Sequence, residues 1–430
     1  MAVAERAIGL LLTPAKLRVW GRRWTTDAGF WSMVDQGAVS AGNFLTTILL
    51  ARCLLPSEYG VYALLFALML FMIYLNSAVV LYGLSLHGAV GTDAELRSLA
   101  GGSLILAAGL AVILGLATGA VLALFHRGFL APWVFLALLF WQLQETTRRA
   151  LMSRLRFREA VGGDALSYLG QTVCIAFLFA GHRLTITSAF GAMASTSAAA
   201  AILQAFQLKL TLPGLRGAFR LLPRFWDTGR WAILVGVAQA FIGQALLWFL
   251  ALRGTAEVAS FQAILNLLRG TNPVMFAVGS VVLPTVAGLQ KNSGGGLGVA
   301  RRYGLLGAVP LLPYFALIFV FPRMVLRLLY GAASPYVGSE TGLRVLVVGS
   351  ALVYVVHVLT MYYFGLSRSD VVFRCELVAA ATAVVGGFLL VTRQGVLGAA
   401  MAYDLIYAAE AVAFIWYLRR TSHAMVARQE

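Results

Sequence analysis

Residues 35–65, DQGAVSAGNFLTTILLARCLLPSEYGVYALL, join two long apolar runs through a short polar link around Pro56 and Glu58. The flanking runs, 30–54 and 60–84, each exceed the ~20 residues that an α-helix needs to cross a bilayer core of about 30 Å. The whole chain of 430 residues has this character, since 60% of it is hydrophobic and 12% charged, with a mean hydropathy of +0.84. A water-soluble core could not bury so much apolar surface. The sequence therefore predicts an all-α polytopic membrane protein.

Ten further runs of this kind emerge when a window of about 19 residues is moved along the chain. The twelve predicted spans are 30–54, 60–84, 98–125, 129–149, 159–181, 185–208, 231–252, 257–288, 302–321, 341–366, 371–392 and 396–418. We assign 30–208 to an N-lobe, 231–418 to a C-lobe, 209–230 to a basic cytoplasmic linker and 419–430 to a cytoplasmic tail. Residues 1–29, rich in Arg and Trp, are typical of a basic amphipathic segment at the membrane interface.

The charge of +16, from 33 Lys and Arg against 17 Asp and Glu, is distributed unevenly over the predicted loops. With a cytoplasmic N-terminus, 24 of the cations fall on the cytoplasmic side, 8 fall on the outer side, and Arg269 lies inside a span. The positive-inside rule then predicts that both termini are cytoplasmic. The excess positive charge is explained by topology, and we do not expect nucleic acid as a partner.

Weak internal similarity at an offset of 199 residues relates the two predicted lobes. Glu58 and Tyr62 align with Glu257 and Phe261, at the start of the second span of each lobe. A second echo relates Ser153-Arg154 to Ser367-Arg368. Two six-helix lobes around a central cavity are typical of an alternating-access transporter.

Arg269 is predicted to lie near the membrane midplane, where a charge costs at least about 2.5–3.5 kcal/mol and usually serves function. Gly270, Asn272 and Pro273 follow it, and Gly270 and Pro273 predict a kinked helix with free carbonyl groups. We interpret Arg269 and Asn272 as a seat for an anion. The alternative is a structural ion pair between Arg269 and a carboxylate on another helix.

Three more arginines are candidates for binding an anionic substrate. Arg52 ends the first span, where it could instead extend towards the lipid headgroups. Arg148 and Arg149 end the fourth span, where they could simply be positive-inside residues. Guanidinium groups can bind a pyrophosphate in bidentate fashion, so all three remain candidates.

Carboxylates inside the spans are candidates for coupling transport to a cation gradient. Asp404 and Glu410, which with Tyr407 are predicted to form one polar stripe on the last span, are the main candidates, and Glu376 is a third. The alternative is a salt bridge from this stripe to Arg269 or His357. Asp35, Asp164 and Glu376 lie near cytoplasmic helix ends, and we expect them to be solvated or paired with Arg, which for Glu376 is the alternative to coupling.

Motifs of catalysis are absent from the sequence. It has no Walker loop and no pair of His residues spaced for a metal, and its three Cys are too far apart to suggest a disulfide framework. We therefore predict neither enzymatic activity nor a metal or other cofactor. The expected driving force is a proton or sodium gradient.

Residues 35–65 resemble the opening of bacterial Wzx-type polysaccharide flippases, in the multidrug/oligosaccharidyl-lipid/polysaccharide exporter superfamily. The family pattern Ala-Arg-x-Leu-x-Pro-x-x-Tyr-Gly-x-Tyr is matched here from Ala51 to Tyr62, and the basic stretch from Arg148 to Gln171 is similar to the family's link between spans four and five. The resemblance implies export of an undecaprenyl-diphosphate-linked oligosaccharide across a bacterial inner membrane, with Arg52, Arg149 and Arg269 supplying a cationic cavity. It also implies glycosyltransferases and a polysaccharide polymerase as candidate partners.

Two alternatives remain open. Drug-efflux members of the superfamily also have twelve spans, so a multidrug or metabolite antiporter driven by cations is the second hypothesis. A non-transporting scaffold for polysaccharide-synthesis enzymes is the third. The flippases for lipid II carry two extra helices, which argues against that branch.

Overall fold

The structure, a computed structural model, describes residues 28–290 and 296–426. Twelve long helices, α1–α12, coincide with the twelve predicted spans, and the described residues contain no β-strand. The predicted amphipathic segment 1–29 lies almost entirely outside the described residues. The fold class predicted from the sequence is confirmed.

The helices of the N-lobe are α1 to α6. They comprise α1 (Ala28–Cys53), α2 (Pro56–Asn76, continued by a π turn and Tyr82–Val90), α3 (Asp93–Leu124), α4 (Ala131–Ser153), α5 (Phe157–Asp164, continued by a π turn and Gly170–Ala180) and α6 (Ile186–Leu208).

The helices of the C-lobe are α7 to α12. They comprise α7 (Leu221–Ala251), α8 (Thr255–Leu268, a 3₁₀ turn and Asn272–Gln290), α9 (Gly296–Val320), α10 (Glu340–Gly365), α11 (369–394) and α12 (396–426). The last two are separated by Gly395, whose φ of 58° breaks an otherwise continuous helix. A short surface helix, Pro322–Tyr330, joins α9 to α10.

Nine helical segments in the described part of the chain are long and apolar enough to cross a membrane, and one of them contains both α11 and α12. The two predicted spans outside this group are α1 and α4. The sequence of α4 explains its lower hydropathy, because its second half, QLQETTRRALMS, is largely polar and yet buried. A multi-pass membrane protein therefore carries a polar centre inside its N-lobe.

The predicted linker 209–230 differs from the expectation, because much of it is helical. A six-residue helix, Gly214–Phe219, precedes α7, and α7 begins at Leu221 rather than at residue 231. Phe225 of α7 is buried and stacks on His87 of α2, with ring centroids 6.2 Å apart. Apolar side chains in the linker thus attach the start of the C-lobe to the N-lobe.

Two spacings in the structure bear on the internal repeat, which stays a prediction. Helix α8 begins 199 residues after α2, the offset expected from the sequence. The turns before α5 and α11 each contain a residue at φ 56°, Leu155 and Ser367, in the same hydrogen-bonded loop. That spacing is 212 residues and matches the distance between the starts of α5 and α11, whereas the predicted pairing of Ser153 with Ser367 differs from it by two residues and stays a prediction.

The lobes meet tightly at the end of the molecule that carries the α1–α2 and α7–α8 turns, the predicted outer end. A side chain on Gly60 of α2 would collide with the backbone of Thr255 at the start of α8. Beside this contact, Tyr59 packs edge-on against Tyr336 with ring centroids 6.1 Å apart. Backbone and aromatic rings therefore close the outer end.

Candidate functional site

A central cavity of about 250 Å³ lies between α2 of the N-lobe and four helices of the C-lobe. No Asp or Glu is among its lining residues in the described part of the chain. Aliphatic, aromatic and small polar side chains form its walls around one arginine. The lining includes Tyr74 of α2, Gly243 and Leu247 of α7, Phe261, Leu265, Arg269 and Asn272 of α8, Ser350 of α10, and Tyr403 and Tyr407 of α12.

Arg269 is the charged group of this cavity. Within residues 28–290 and 296–426, no hydrogen bond or ion pair is found for its guanidinium group. The tyrosines Tyr59, Tyr62, Tyr74 and Tyr403 lie close enough to interact with it electrostatically. Because arginine keeps its proton in proteins, the cavity carries an uncompensated positive charge, and the alternative of a structural ion pair is not realised in this conformation.

The broken helix around Arg269 is stabilised locally. A 3₁₀ turn spans Arg269–Thr271, and the hydroxyl of Thr271 donates to the carbonyl oxygen of Leu268 at 2.8 Å. The hydroxyl of Tyr314 on α9 donates to the carbonyl oxygen of Leu267 and packs against Gly270. Pro273 stands at the start of the next helical segment, where a missing N–H costs nothing. Gly270 and Pro273 therefore lie at an interruption, and their role as a hinge stays a prediction.

Arg148 has a different environment from the one predicted. Its Nη2 donates to Asp35 of α1 at 2.8 Å and its Nη1 to Glu145 at 3.3 Å, while its Nε pairs with Asp164 of α5. Asp35 and Asp164 are fully buried. These four residues form what we call the Arg148 network. With three carboxylates around it, Arg148 is neither a solvated loop cation nor available to a diphosphate in this conformation.

Neutral side chains complete the Arg148 network. Gln204 of α6 donates to Asp164 at 3.2 Å and accepts a hydrogen bond from Thr147 at 2.8 Å. Tyr168 donates to Glu145 at 2.9 Å. Buried carboxylates retain their charge only when such donors and a cation replace water, so the network is a structural centre that connects α1, α4, α5 and α6. Of the two environments expected for Asp35 and Asp164, solvation or pairing with Arg, the structure shows pairing with Arg148.

Arg52 and Arg149 do not reach the central cavity. Arg52 is exposed at the outer end of α1, and Arg149 is half-buried on α4 and is not among the residues that line the cavity. Of the five residues predicted to bind substrate, the structure brings together Arg269 and Asn272 and leaves Arg52, Arg148 and Arg149 elsewhere. The sequence signal that could have separated them is the run of polar residues in α4, which marks a buried network.

Glu376 and Glu410 form an acidic pair on α11 and α12. Glu376 accepts a hydrogen bond of 2.6 Å from Gln239 of α7, and both carboxylates are buried close enough to interact with each other. Glu410 Oε1 has no hydrogen-bond partner within the described residues. No cation pairs with either carboxylate there, so the acidic pair can take up a proton or a small cation.

Asp404 does not share the surface of Tyr407, contrary to the predicted stripe. Tyr403 and Tyr407, one turn apart, line the cavity with ring centroids 4.8 Å from each other. Asp404 instead packs against Gly349 of α10. His357 contacts the carbonyl oxygen of Met275 at 2.8 Å, so the salt bridge that we considered as the alternative to coupling is absent from the described residues.

The acidic pair and the Arg148 network occupy corresponding places in the two lobes. Glu376 lies 212 residues after Asp164, the offset that relates α5 to α11. At the same offset, Thr360 stands where Arg148 does. At this offset, α5 and α11 each carry a buried acid, whereas Thr360 of α10 takes the place of Arg148 of α4.

The fold of this chain is similar to those of solved membrane transporters. No family model matches the chain, and no curated protein matches it. A MATE-family multidrug resistance transporter in its inward-facing conformation superposes with a TM-score of 0.76 at 16% identity, over 90% of this chain and 95% of that one. The lipid II flippase MurJ in its inward closed conformation superposes with a TM-score of 0.70 at 12% identity, over 90% of this chain and 87% of that one.

The similarity also bears on conformation. An outward-facing MATE-family transporter gives a lower TM-score of 0.60, at 16% identity over 91% of this chain and 94% of that one. The contact of Gly60 with Thr255 at the outer end agrees with the higher score of the inward-facing structure. The two lobes are thus in contact at the predicted outer end.

Proposed function

We propose that this protein moves an undecaprenyl-diphosphate-linked oligosaccharide from the cytoplasmic to the outer face of a bacterial inner membrane. The observation that carries the proposal is Arg269, an arginine without a described ion pair in a cavity without acidic lining. A fold shared with solved transporters, among them the lipid II flippase MurJ, supports it. The second sequence motif includes Arg148, which three carboxylates hold in this conformation, so we assign Arg148 no contact with the substrate.

The chemistry of the cavity favours an anion over an organic cation. A guanidinium group binds two phosphate oxygens at once, and a low-dielectric site strengthens that attraction. Asn272, Ser350 and the hydroxyl groups of Tyr403 and Tyr407 supply donors and acceptors for a sugar. A cationic drug would meet the positive charge of Arg269 with no carboxylate to offset it.

A cation gradient drives the cycle through the acidic pair. Glu376 and Glu410 have no cationic partner within the described residues, so a proton or sodium ion changes their charge balance directly. Asp35 and Asp164 are already neutralised in part by Arg148. The coupling cation supplies direction because its affinity differs between the inward and outward states.

The principal test is the replacement Arg269→Ala, with Arg52→Ala as the matched control. Both remove one arginine from the membrane region, but only Arg269 lines the cavity. We expect Arg269→Ala to lower translocation of a lipid-linked oligosaccharide in proteoliposomes by at least about tenfold, the equivalent of one charge-assisted contact. Arg52→Ala should stay near the parent rate. Equal rates for the parent and Arg269→Ala at equal reconstitution would refute the proposal.

A multidrug antiporter is the second candidate, favoured by the inward-facing neighbour with a TM-score of 0.76 and by the aromatic walls of the cavity. It would expel cationic dyes, and Arg269→Ala would leave or improve that activity. Dye efflux from proteoliposomes, measured beside oligosaccharide translocation, separates the two. Candidate partners from polysaccharide synthesis would be tested by co-purification.

A further inference from the structure

A group of three arginines at the predicted outer end is not used by the proposed transport. Arg323 and Arg327 lie one turn apart on the surface helix Pro322–Tyr330, and Arg344 faces them from the first turns of α10. Together they line a surface pocket of about 480 Å³. The positive-inside rule disfavours cations on this side, so their concentration in one pocket needs a local cause.

The surface helix has three distinct faces. Pro322, Leu326 and Tyr330 are buried against the C-lobe. Met324 and Leu328 are 53% and 74% exposed and point away from it. The arginines lie between these two faces, as expected for a helix at the level of the lipid headgroups, with apolar side chains towards the acyl chains and cations towards the phosphates.

The existing contacts leave much of this positive charge free. Arg323 pairs loosely with Glu340, with Nε and Oε2 3.8 Å apart and the arginine side chain 62% exposed. Arg344 donates through Nε to the carbonyl oxygen of Phe319 at 3.1 Å. Within the described residues, Arg327 has no hydrogen bond or ion pair through its side chain. Three cations against one carboxylate give the pocket a net charge suited to a phosphate diester.

We propose that this pocket binds the phosphate group of an anionic phospholipid in the leaflet at the outer end. The apolar wall of the pocket, which includes exposed Val320, Phe321 and Met324, receives the glycerol and upper acyl chains. Basic pockets beside membrane helices bind such headgroups through charge-assisted hydrogen bonds. The proposal is independent of the transported substrate.

The test compares Arg327→Gln with Arg127→Gln. Arg327 makes no described side-chain contact to lose, so its replacement should preserve the fold, and Arg127 is an exposed arginine at the same predicted end of the N-lobe. Native mass spectrometry of the purified full chain would titrate phosphatidylglycerol, with phosphatidylcholine as the zwitterionic lipid. We expect phosphatidylglycerol to bind preferentially and Arg327→Gln to weaken that binding about tenfold, with Arg127→Gln unchanged.

Three outcomes would overturn the proposal. One is equal binding of phosphatidylglycerol and phosphatidylcholine by the parent chain. Another is phosphatidylglycerol binding that Arg327→Gln leaves unchanged or that both variants weaken equally. The third is displacement of the lipid by millimolar inorganic phosphate, which would identify a site for the free ion. Translocation by Arg269→Ala is measured separately, so either proposal can fail without the other.

Discussion

Arg148 and Arg269 are two arginines within the membrane region of one duplicated fold, and their surroundings are opposite. Arg148 has three carboxylates in contact and lies in the packed interior of the N-lobe. Arg269 has no described ion pair and lies at a cavity in the C-lobe. Burying a charge without a partner is costly. On the proposal made above, the N-lobe arginine stabilises the fold, whereas the C-lobe arginine binds the transported anion.

The largest expected effect is on stability, when Arg148 is replaced. Arg148→Gln leaves three carboxylates together without their cation, and we expect it to lower stability by about 3–5 kcal/mol. Thermal unfolding of the purified protein, followed by fluorescence-detected size exclusion, measures the change. Arg149→Gln is the matched control, because the adjacent Arg149 has no ion pair within the described residues. A melting temperature shared by both variants would show that the Arg148 network contributes no stability.

The melting temperature of Arg269→Ala, measured in the same assay, tests whether Arg269 contributes to stability. Removing an uncompensated charge should leave the melting temperature unchanged or raise it, although transport falls. Unfolding at a lower temperature than the parent would instead assign Arg269 to the fold, in the same way as Arg148.

A smaller effect distinguishes the corresponding acids, Glu376 and Asp164. Glu376→Gln removes a carboxylate that has no cationic partner within the described residues. We therefore expect the stimulation of transport by an imposed proton or sodium gradient to fall about tenfold. Asp164→Asn, in the neutralised N-lobe network, should retain most of that stimulation. Translocation rates in proteoliposomes, with and without the gradient, give both ratios. Loss of stimulation in Asp164→Asn alone would move the coupling site to the N-lobe.

The smallest effect is expected for Asp404. Its carboxylate packs against Gly349 rather than joining the acidic pair, so Asp404→Asn should change gradient stimulation by less than about threefold. The same proteoliposome assay is sufficient. If stimulation vanished in Asp404→Asn and persisted in Glu376→Gln, Asp404 would replace Glu376 as the coupling residue.

The sequence predicts the spans well because length and apolar content determine whether a helix crosses a bilayer. It also identifies Arg269, since a lone charge in an apolar run is visible locally. The polar run in α4 indicates that Arg148 is buried in a network, but its partners could not be predicted, because Asp35 lies 113 residues away in the chain and no local pattern reveals that contact. The predicted stripe of Asp404 and Tyr407 differs from the structure for a related reason. A three-residue spacing places both side chains near one face of α12, but packing against the neighbouring helix determines which of them reaches the cavity.

The linker 209–230 shows the same limit at the level of helices. Its charge indicated a cytoplasmic loop, whereas Phe225 and the preceding helix bury apolar surface against α2 and α3. Charge density reports the side of the membrane, and it does not report whether a segment packs.

The contact of Gly60 with Thr255 makes the closed outer end sensitive to a single methyl group. Because Gly60 has no side chain, its backbone can contact the backbone of Thr255. The methyl group of an alanine at position 60 would collide with Thr255 and keep the lobes apart. Such a residue would cost little in an open outer end and a great deal in a closed one. A substitution at position 60 would therefore shift the conformational equilibrium. Even the added volume of one methyl group would favour a conformation that is open at the outer end.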